Sequence, residues 1–343
     1  MNKQLRIVPR TASRWQTIDW QNSLKAMSRS VDELLNFCEI KACDLPLQLQ
    51  AAKDFAVKVT PHYLSLIEKQ NPLDPLLLQV LPKADENEKV LGFVSDPLQE
   101  TIFNKVPGLI HKYHGRVLLI ANPSCAIHCR YCFRRHFAYE ENTPSSRDWQ
   151  QALDYIANDP SIHEVILSGG DPLSSNDKQL QNLLEQLDTI SHLRTLRIHT
   201  RIPVVMPERI TDDFLSILQE TRLHKVMVLH INHANEVSPA LLEVSQLLQA
   251  CGIRLLNQSV LLKAINDTVP AQKALCFALH QANIQAYYLH LLDKVNGAAH
   301  FIVSDDQAIA LYKELQAQLP GYMLPKLARE TAHDPHKRLI VID

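Results

Sequence analysis

Three of the seven cysteines, Cys125, Cys129 and Cys132, fall within eight residues in a C-x3-C-x2-C spacing, just after the apolar run at 117–121. Such crowding points to one shared ligand. Thiolates are soft donors that suit zinc or an iron-sulfur cluster, and three sulfurs on a four-iron cube leave one iron for a non-protein ligand. That open corner is a place for chemistry. A structural zinc knot completed by His128 or His136 is the competing reading, although zinc ribbons and fingers pair C-x2-C with a second C-x2-C or with spaced histidines.

Thiols in a loop need a scaffold, and the chain supplies a repeating one from Arg116 onward. Apolar runs rich in Val, Ile and Leu predict strands at 117–121, 164–168, 196–200, 226–232, 254–261 and 286–291. Leucine spacing of three and four predicts helices between them at 146–158, 178–190, 212–221, 239–250 and 271–282. Six β/α units in a row imply parallel strands with covering helices, either an open doubly wound sheet or a barrel. In a barrel the chemistry belongs at the carboxyl ends of the strands. Those ends carry the cysteine loop, Ser168-Gly169-Gly170-Asp171-Pro172, His199-Thr200-Arg201, His230-Ile231-Asn232-His233, Asn257-Gln258 and Asp293. Six polar rims together favour one shared cavity. The first hundred residues read as helical and irregular, with helices over 23–38 and 55–67 and proline-aspartate punctuation at 71–75 and 95–98.

At 343 residues the chain can bury a sizeable core. Its 35 basic and 37 acidic residues give a net charge of -2, which asks for neither nucleic acid nor an anionic membrane. No apolar run approaches the roughly 20 residues of a spanning helix, and the start Met1 to Pro9 lacks a signal-peptide apolar core. A cytoplasmic enzyme is the expectation, and cysteines clustered as ligands suit a reducing compartment. Cys38, Cys43, Cys251 and Cys276 read as packing.

Three further stretches have a bland and a chemical reading. Gly169 and Gly170 could end a strand, or could let the backbone approach a zwitterionic amino-acid group. Lys112, Tyr113 and Arg116 could form a solvated basic turn, or could offer cations to a phosphate and an aromatic face to a pyridine ring. Lys337, taken alone, reads as a surface lysine.

Together these stretches resemble the lysine 2,3-aminomutases, radical S-adenosylmethionine (radical SAM) enzymes that also use pyridoxal phosphate. The matching segments are 113–118, 125–135, 168–173, 198–207, 230–236, 257–262 and 321–337, with Arg134-Arg135 and His199-Thr200-Arg201 the most diagnostic. The match is closest to the short branch of the family, whose β-lysine modifies translation elongation factor P. The glycine-rich run that precedes the pyridoxal lysine in longer enzymes is here Thr331-Ala332-His333-Asp334-Pro335-His336, and Glu330 stands where they carry Asp. The chain stops at Asp343, without their cysteine-bearing extension.

The resemblance implies an α/β fold: a partial (β/α)6-type barrel at 105–300, a mainly helical region at 1–104, and a C-terminal helix and pyridoxal-lysine segment at 301–343. It implies that Cys125, Cys129 and Cys132 hold a [4Fe-4S] cluster whose fourth iron takes S-adenosylmethionine. Gly169, Gly170, Asp171 and His230 would cradle that cofactor. Lys337 would anchor pyridoxal 5'-phosphate, surrounded by Lys112, Tyr113, Arg116 and Gln258, with Arg116 on the phosphate. Arg134 would grip the carboxylate of L-lysine, and Asp293 and Glu330 its distant ammonium. The implied reaction is isomerisation to (R)-β-lysine, fed by an electron donor such as flavodoxin or ferredoxin and followed by a lysyl ligase acting on elongation factor P. The alternatives are an aminomutase for glutamate or arginine, and a non-catalytic iron-sulfur or zinc module.

Overall fold

A computed structural model describes residues 19–41, 43, 45, 55–137, 139 and 149–341. One ten-stranded sheet runs in strict sequence order: β1 (Asn104–Val106), β2 (Leu109–Tyr113), β3 (Arg116–Asn122), β4 (Glu164–Gly169), β5 (Thr195–Thr200), β6 (His224–His230), β7 (Arg254–Val260), β8 (Gln285–His290), β9 (Lys326–Arg329) and β10 (Arg338–Leu339). Strands β3 to β9 are parallel, whereas β1, β2 and β10 add antiparallel edges. No ladder joins β10 to β1, so the barrel is partial.

Parallel neighbours require crossovers, and the chain provides helices for them. Chain order gives α1 (Trp20–Lys25), α2 (Val31–Cys38), α3 (Pro61–Leu66), α4 (Trp149–Ala157), α5 (Asp177–Asp188), α6 (Ile202–Val205), α7 (Asp212–Glu220), α8 (Pro239–Ala250), α9 (Val269–Gln281) and α10 (Asp305–Gln318). Side-chain caps start them where the sequence has Asn176, Thr211, Ser238, Thr268 and Ser304. Each covering helix buries a leucine stripe, as Leu180, Leu183, Leu184 and Leu187 do on α5. In β5 the alternation is complete: Leu196, Ile198 and Thr200 are buried, and Arg197 and His199 lie on the other face. None of the helices among the described residues is long and apolar enough to cross a membrane.

The N-terminal region contains short helices and 3₁₀ turns rather than the two longer helices expected. The expected 23–38 helix is broken into α1 and α2, with Met27 to Ser30 leaving the helix so that Ser28 bridges Val59 and Ser30 caps the second segment. Leu34, Val59, Tyr63, Leu76 and Leu77 join the same core as Leu119, Leu167 and Leu196, so this region packs on the sheet. The expected strand at 226–232 ends at His230, because Asn232 turns its amide to Tyr131 and Gln79 and accepts from the Val260 N–H. Of the expected helix at 146–158, residues 146–148 lie outside the described residues.

The cysteine loop is held by both neighbours. Arg130 lies fully buried, donating to Glu86 and to the Phe55 carbonyl, and Arg135 shares the same Glu86. Main-chain bonds from His128 N to Lys58 O (2.9 Å) and Arg130 N to Gln79 O (2.9 Å) fix the loop's path. From the sheet side, Gly170 N donates to Asn122 O and Asp171 N to Ser124 O, each at 2.8 Å.

That close approach explains Gly170. A Cβ there would lie 2.5 Å from the Pro123 carbonyl oxygen, a main-chain obstacle that cannot swing aside. Gly170→Ala is therefore expected to cost about 1–3 kcal/mol in a urea titration followed by circular dichroism, and to lower iron uptake. An unchanged midpoint with full iron would show that the contact is not tight.

Candidate functional site

The first group in the cavity is the three thiols. Burial pushes the Cys125 and Cys132 thiols up, and the neighbouring thiols push them further. Such sulfurs do not ionise unless a cation joins them. Among the described residues no three His, Cys, Asp or Glu side chains converge as a single metal ion requires. Three thiolates supply the three protein-held corners of a four-iron cube, whereas a structural zinc takes four protein ligands, so the donor set fits a cluster better than a zinc knot.

Arg134 follows directly. It is buried, and Glu100 takes its Nε (2.7 Å) and Nη2 (2.6 Å) in a forked pair. Its Nη1 donates to Ser168 Oγ (3.1 Å) and the Gly169 carbonyl (3.3 Å). Burial pulls the guanidinium down, but the Glu100 carboxylate more than offsets it, and the group stays charged. Four of its five N–H groups are thereby engaged. Glu100 carried no sequence signal, since it sits in an irregular turn 34 positions from its partner.

The third to sixth rims present a polar layer. His230 pairs in register with Gln258 and Gln258 with Tyr288, and the Gln258 amide lies 3.2 Å from His230 Nε2. Burial pulls His230 down to about 3, with the cations Arg201, Lys337 and Arg134 adding to the effect. Burial likewise holds His199 well below the usual range, again with Lys337 and Arg134 contributing. The buried Nε2 of His199 has no hydrogen-bond partner among the described residues. Residues from the cysteine loop and from the far end of the chain thus act on the same two imidazoles.

At that far end, Lys337 Nζ lies 2.9 Å from Glu330 Oε2, 3.4 Å from His290 Nε2, and 5.6 Å from the centre of the Tyr288 ring. Glu330 also accepts from Lys112 Nζ (3.1 Å) and Tyr113 Oη (2.7 Å), both on β2. The second and ninth strands therefore meet through side chains where no ladder closes the sheet. Burial raises the Glu330 carboxyl, but Lys337 and Lys112 overcome it and hold the group well below the usual range. Asp293 behaves in the opposite way. Burial and then the Glu330 charge push it up to about 7, and none of the described residues donates a hydrogen bond to its carboxylate.

Several expected contacts take a different form. The Asp171 carboxylate is consumed by Leu173 N, Thr200 Oγ1, Arg201 N and Ile202 N, and the Gly169 carbonyl by Arg134 and Tyr139. These bonds tie the rim together. Gly169 has φ +123°, and a Cβ there would strike Asn122 O at 2.7 Å. Arg116 stands at the amino end of β3, about 20 Å along the strand from the cysteine loop, with its guanidinium 4.8 Å above the Tyr113 ring. Glu330 is already paired with the chain's own ammonium groups. Besides Glu100, the residues not anticipated at the site are Tyr288 and His290, for which inward alternation on β8 was the available signal; His199 stood in the sequence only as part of a rim.

The cations, aromatic rings and unpartnered imidazole fit a phosphate-bearing pyridine, just as the thiols fit a cluster. Comparison with known proteins agrees. The Radical SAM superfamily model matches residues 119–267. L-lysine 2,3-aminomutase of Haemophilus influenzae is 48% identical over 335 residues, covering 98% of this chain and 99% of that protein. The Escherichia coli enzyme of the same name is 47% identical over 320 residues, 93% of each chain. The Clostridium subterminale enzyme is 36% identical over 310 residues, 90% of this chain and 74% of that protein.

Removing one member of a buried pair leaves the other charge stranded. Glu100→Ala is expected to destabilise the protein by about 3 kcal/mol in a denaturant titration and to weaken lysine binding. Wild-type stability would show that Arg134 finds other partners.

Proposed function

The chain belongs to the L-lysine 2,3-aminomutases of the radical SAM superfamily, and on that footing we propose that it converts L-α-lysine to (R)-β-lysine. Cys125, Cys129 and Cys132 would hold the [4Fe-4S] cluster, and Lys337 would anchor pyridoxal 5'-phosphate. The observation that carries this reading is the setting of Lys337, whose Nζ stands beside Glu330 (2.9 Å), His290 (3.4 Å) and the Tyr288 ring, while Lys112 and Tyr113 meet the same carboxylate. When bound, the cluster and S-adenosylmethionine supply one-electron chemistry and hydrogen abstraction, while the pyridoxal carbonyl carries the migrating nitrogen.

The protein's own residues do the rest. Lys337 would hold the pyridoxal group, and its Nζ is positioned for that by the Glu330 carboxylate at 2.9 Å and the His290 imidazole at 3.4 Å. Burial and the Lys337 charge keep that imidazole well below its usual range, so it serves as a neutral neighbour. Lys112, Tyr113 and Arg116 line the phosphate and ring end, and Gln258 with His230 lines the middle. Gly169, Gly170 and Asp171 act on S-adenosylmethionine through the loop they tie down.

Substrate selection follows from charge. Arg134 offers the carboxylate its positive charge and the one N–H, on Nη2, that Glu100, Ser168 and Gly169 leave free. Asp293 is the acid left for the ammonium, with the charge of Glu330, itself paired with Lys112 and Lys337, beside it, and this acidic end disfavours glutamate. The product would be passed to a lysyl ligase that modifies translation elongation factor P. This rests on the likeness of 321–337 to the short branch. A cytoplasmic setting and a flavodoxin or ferredoxin donor suit a low-potential cluster, and no disulfide joins cysteines among the described residues.

Asp293 gives a pH test with a definite sign. Its carboxyl is raised above the ordinary value, so the protonated form favours the empty fold below about 7 and that contribution is lost as pH rises through 7. A substrate ammonium favours the ionised form. Lysine binding is therefore expected to release a proton near neutral pH and to strengthen from pH 6 to pH 8. Calorimetry in two buffers of different ionisation enthalpy measures it; Asp293→Asn should abolish the release, and equal release in both proteins would remove Asp293 from the ammonium site.

For the activity itself, the anaerobic reconstituted protein is assayed with lysine, glutamate and arginine. β-Lysine from lysine alone is the expected result, and a β-isomer from another amino acid in its place contradicts the assignment. Lys337→Ala should lose the bound pyridoxal absorbance and keep the cluster, and Cys129→Ala the reverse. Retention of both absorbance and turnover in Lys337→Ala would refute the anchoring role.

A further inference from the structure

Arg201 makes a contact that lysine recognition does not require. Its Nη1 donates to Cys129 Sγ at 2.7 Å and to Tyr131 Oη at 2.7 Å. Its Nη2 donates to Gln79 Oε1 and Glu236 Oε2, both at 2.7 Å. The guanidinium cannot swing, because Glu236 is itself fixed by Asn232 N (2.9 Å), His233 N (3.0 Å) and Gln79 Nε2 (3.1 Å). Arg201 is 6% exposed and Glu236 0%. Cys132 receives only a main-chain N–H, that of Arg134. Cys129 alone among the three thiols takes a charged side-chain donor among the described residues.

A cationic N–H directed at a cluster sulfur draws electron density from that corner and stabilises the added electron. We propose that Arg201 is a positioning residue that raises the reduction potential of the cluster through its bond to Cys129. The inference rests on reading the three thiols as cluster ligands. Glu236 offsets the cost of burying the guanidinium while standing on another of its nitrogens, away from the sulfur.

The test is a redox titration followed by electron paramagnetic resonance, on anaerobically reconstituted wild type, Glu236→Gln, and the double variant Arg201→Gln with Glu236→Gln. The double variant removes both buried charges together and so strands neither. Its midpoint should move to more negative potential, with the reduced-to-oxidised ratio falling roughly tenfold at the wild-type midpoint. Glu236→Gln alone should show no negative shift. An unchanged midpoint in the double variant at full iron content overturns the proposal, as does an equal negative shift in Glu236→Gln, which would mean that the network only shapes the loop. If the double variant takes up no iron, Arg201→Lys decides: the charge stays beside Glu236 but the amine no longer spans to Cys129. A negative shift there supports the proposal and an unchanged midpoint overturns it. Failure of the wild type to build any cluster refutes the underlying ligand reading instead.

Discussion

Three buried arginine–glutamate pairs surround the cysteine loop, and the rest of the structure depends on them: Arg130 with Glu86, Arg134 with Glu100, and Arg201 with Glu236. A guanidinium out of water is tolerated only when its charge and its N–H groups are met. Each pair joins segments distant in sequence. Glu86 and Glu100 come from the N-terminal region and Glu236 from the turn after β6, so three separate parts of the chain are pinned to the loop that carries the thiols. The pairs orient the loop more than they add net stability, since a buried ion pair gains little over a well-packed apolar contact.

The same constraint shapes the other end of the cavity. Glu330 gathers Lys337, Lys112 and Tyr113 from opposite edges of an unclosed sheet, and the sheet curls far enough for them to meet. Asp293, close by, has no such hydrogen-bonded partner among the described residues, and burial raises its carboxyl to about 7. One acid is thus satisfied by the protein and the other is left for a visiting cation. Between these poles lie imidazoles kept neutral by burial and by cations on both sides, which suits a chamber where charge must be placed at its ends.

Much of this was legible in the sequence because it repeats. The run of apolar segments at strand length, each followed by a leucine-striped helix, specified parallel strands, and the polar residues at their ends specified a rim. The short edges β1, β2, β9 and β10 escaped, because two to five residues carry too little pattern and Lys112, Tyr113 and Lys337 lie on or beside them. The paired glycines were read as approaching a ligand, and the structure adds that they also make room for the cysteine loop against β4. Asp171 was read as a cofactor contact, and its carboxylate is seen to cap the next turn as well. Glu86, Glu100 and Glu236 carried no signal at all. Long-range pairing of this kind is set by the folded geometry, and no local spacing encodes it.

The central claim is that the loop is formed before any cofactor arrives. Hydrogen–deuterium exchange on the metal-free protein tests it most directly, since His128 N, Arg130 N, Cys132 N and Arg135 N all donate to main-chain carbonyls. The account predicts that peptides spanning 126–135 exchange slowly, comparably with β3, and change little when iron and sulfide are added. Exchange as fast as that of an open chain, with protection appearing only on cluster assembly, would contradict it.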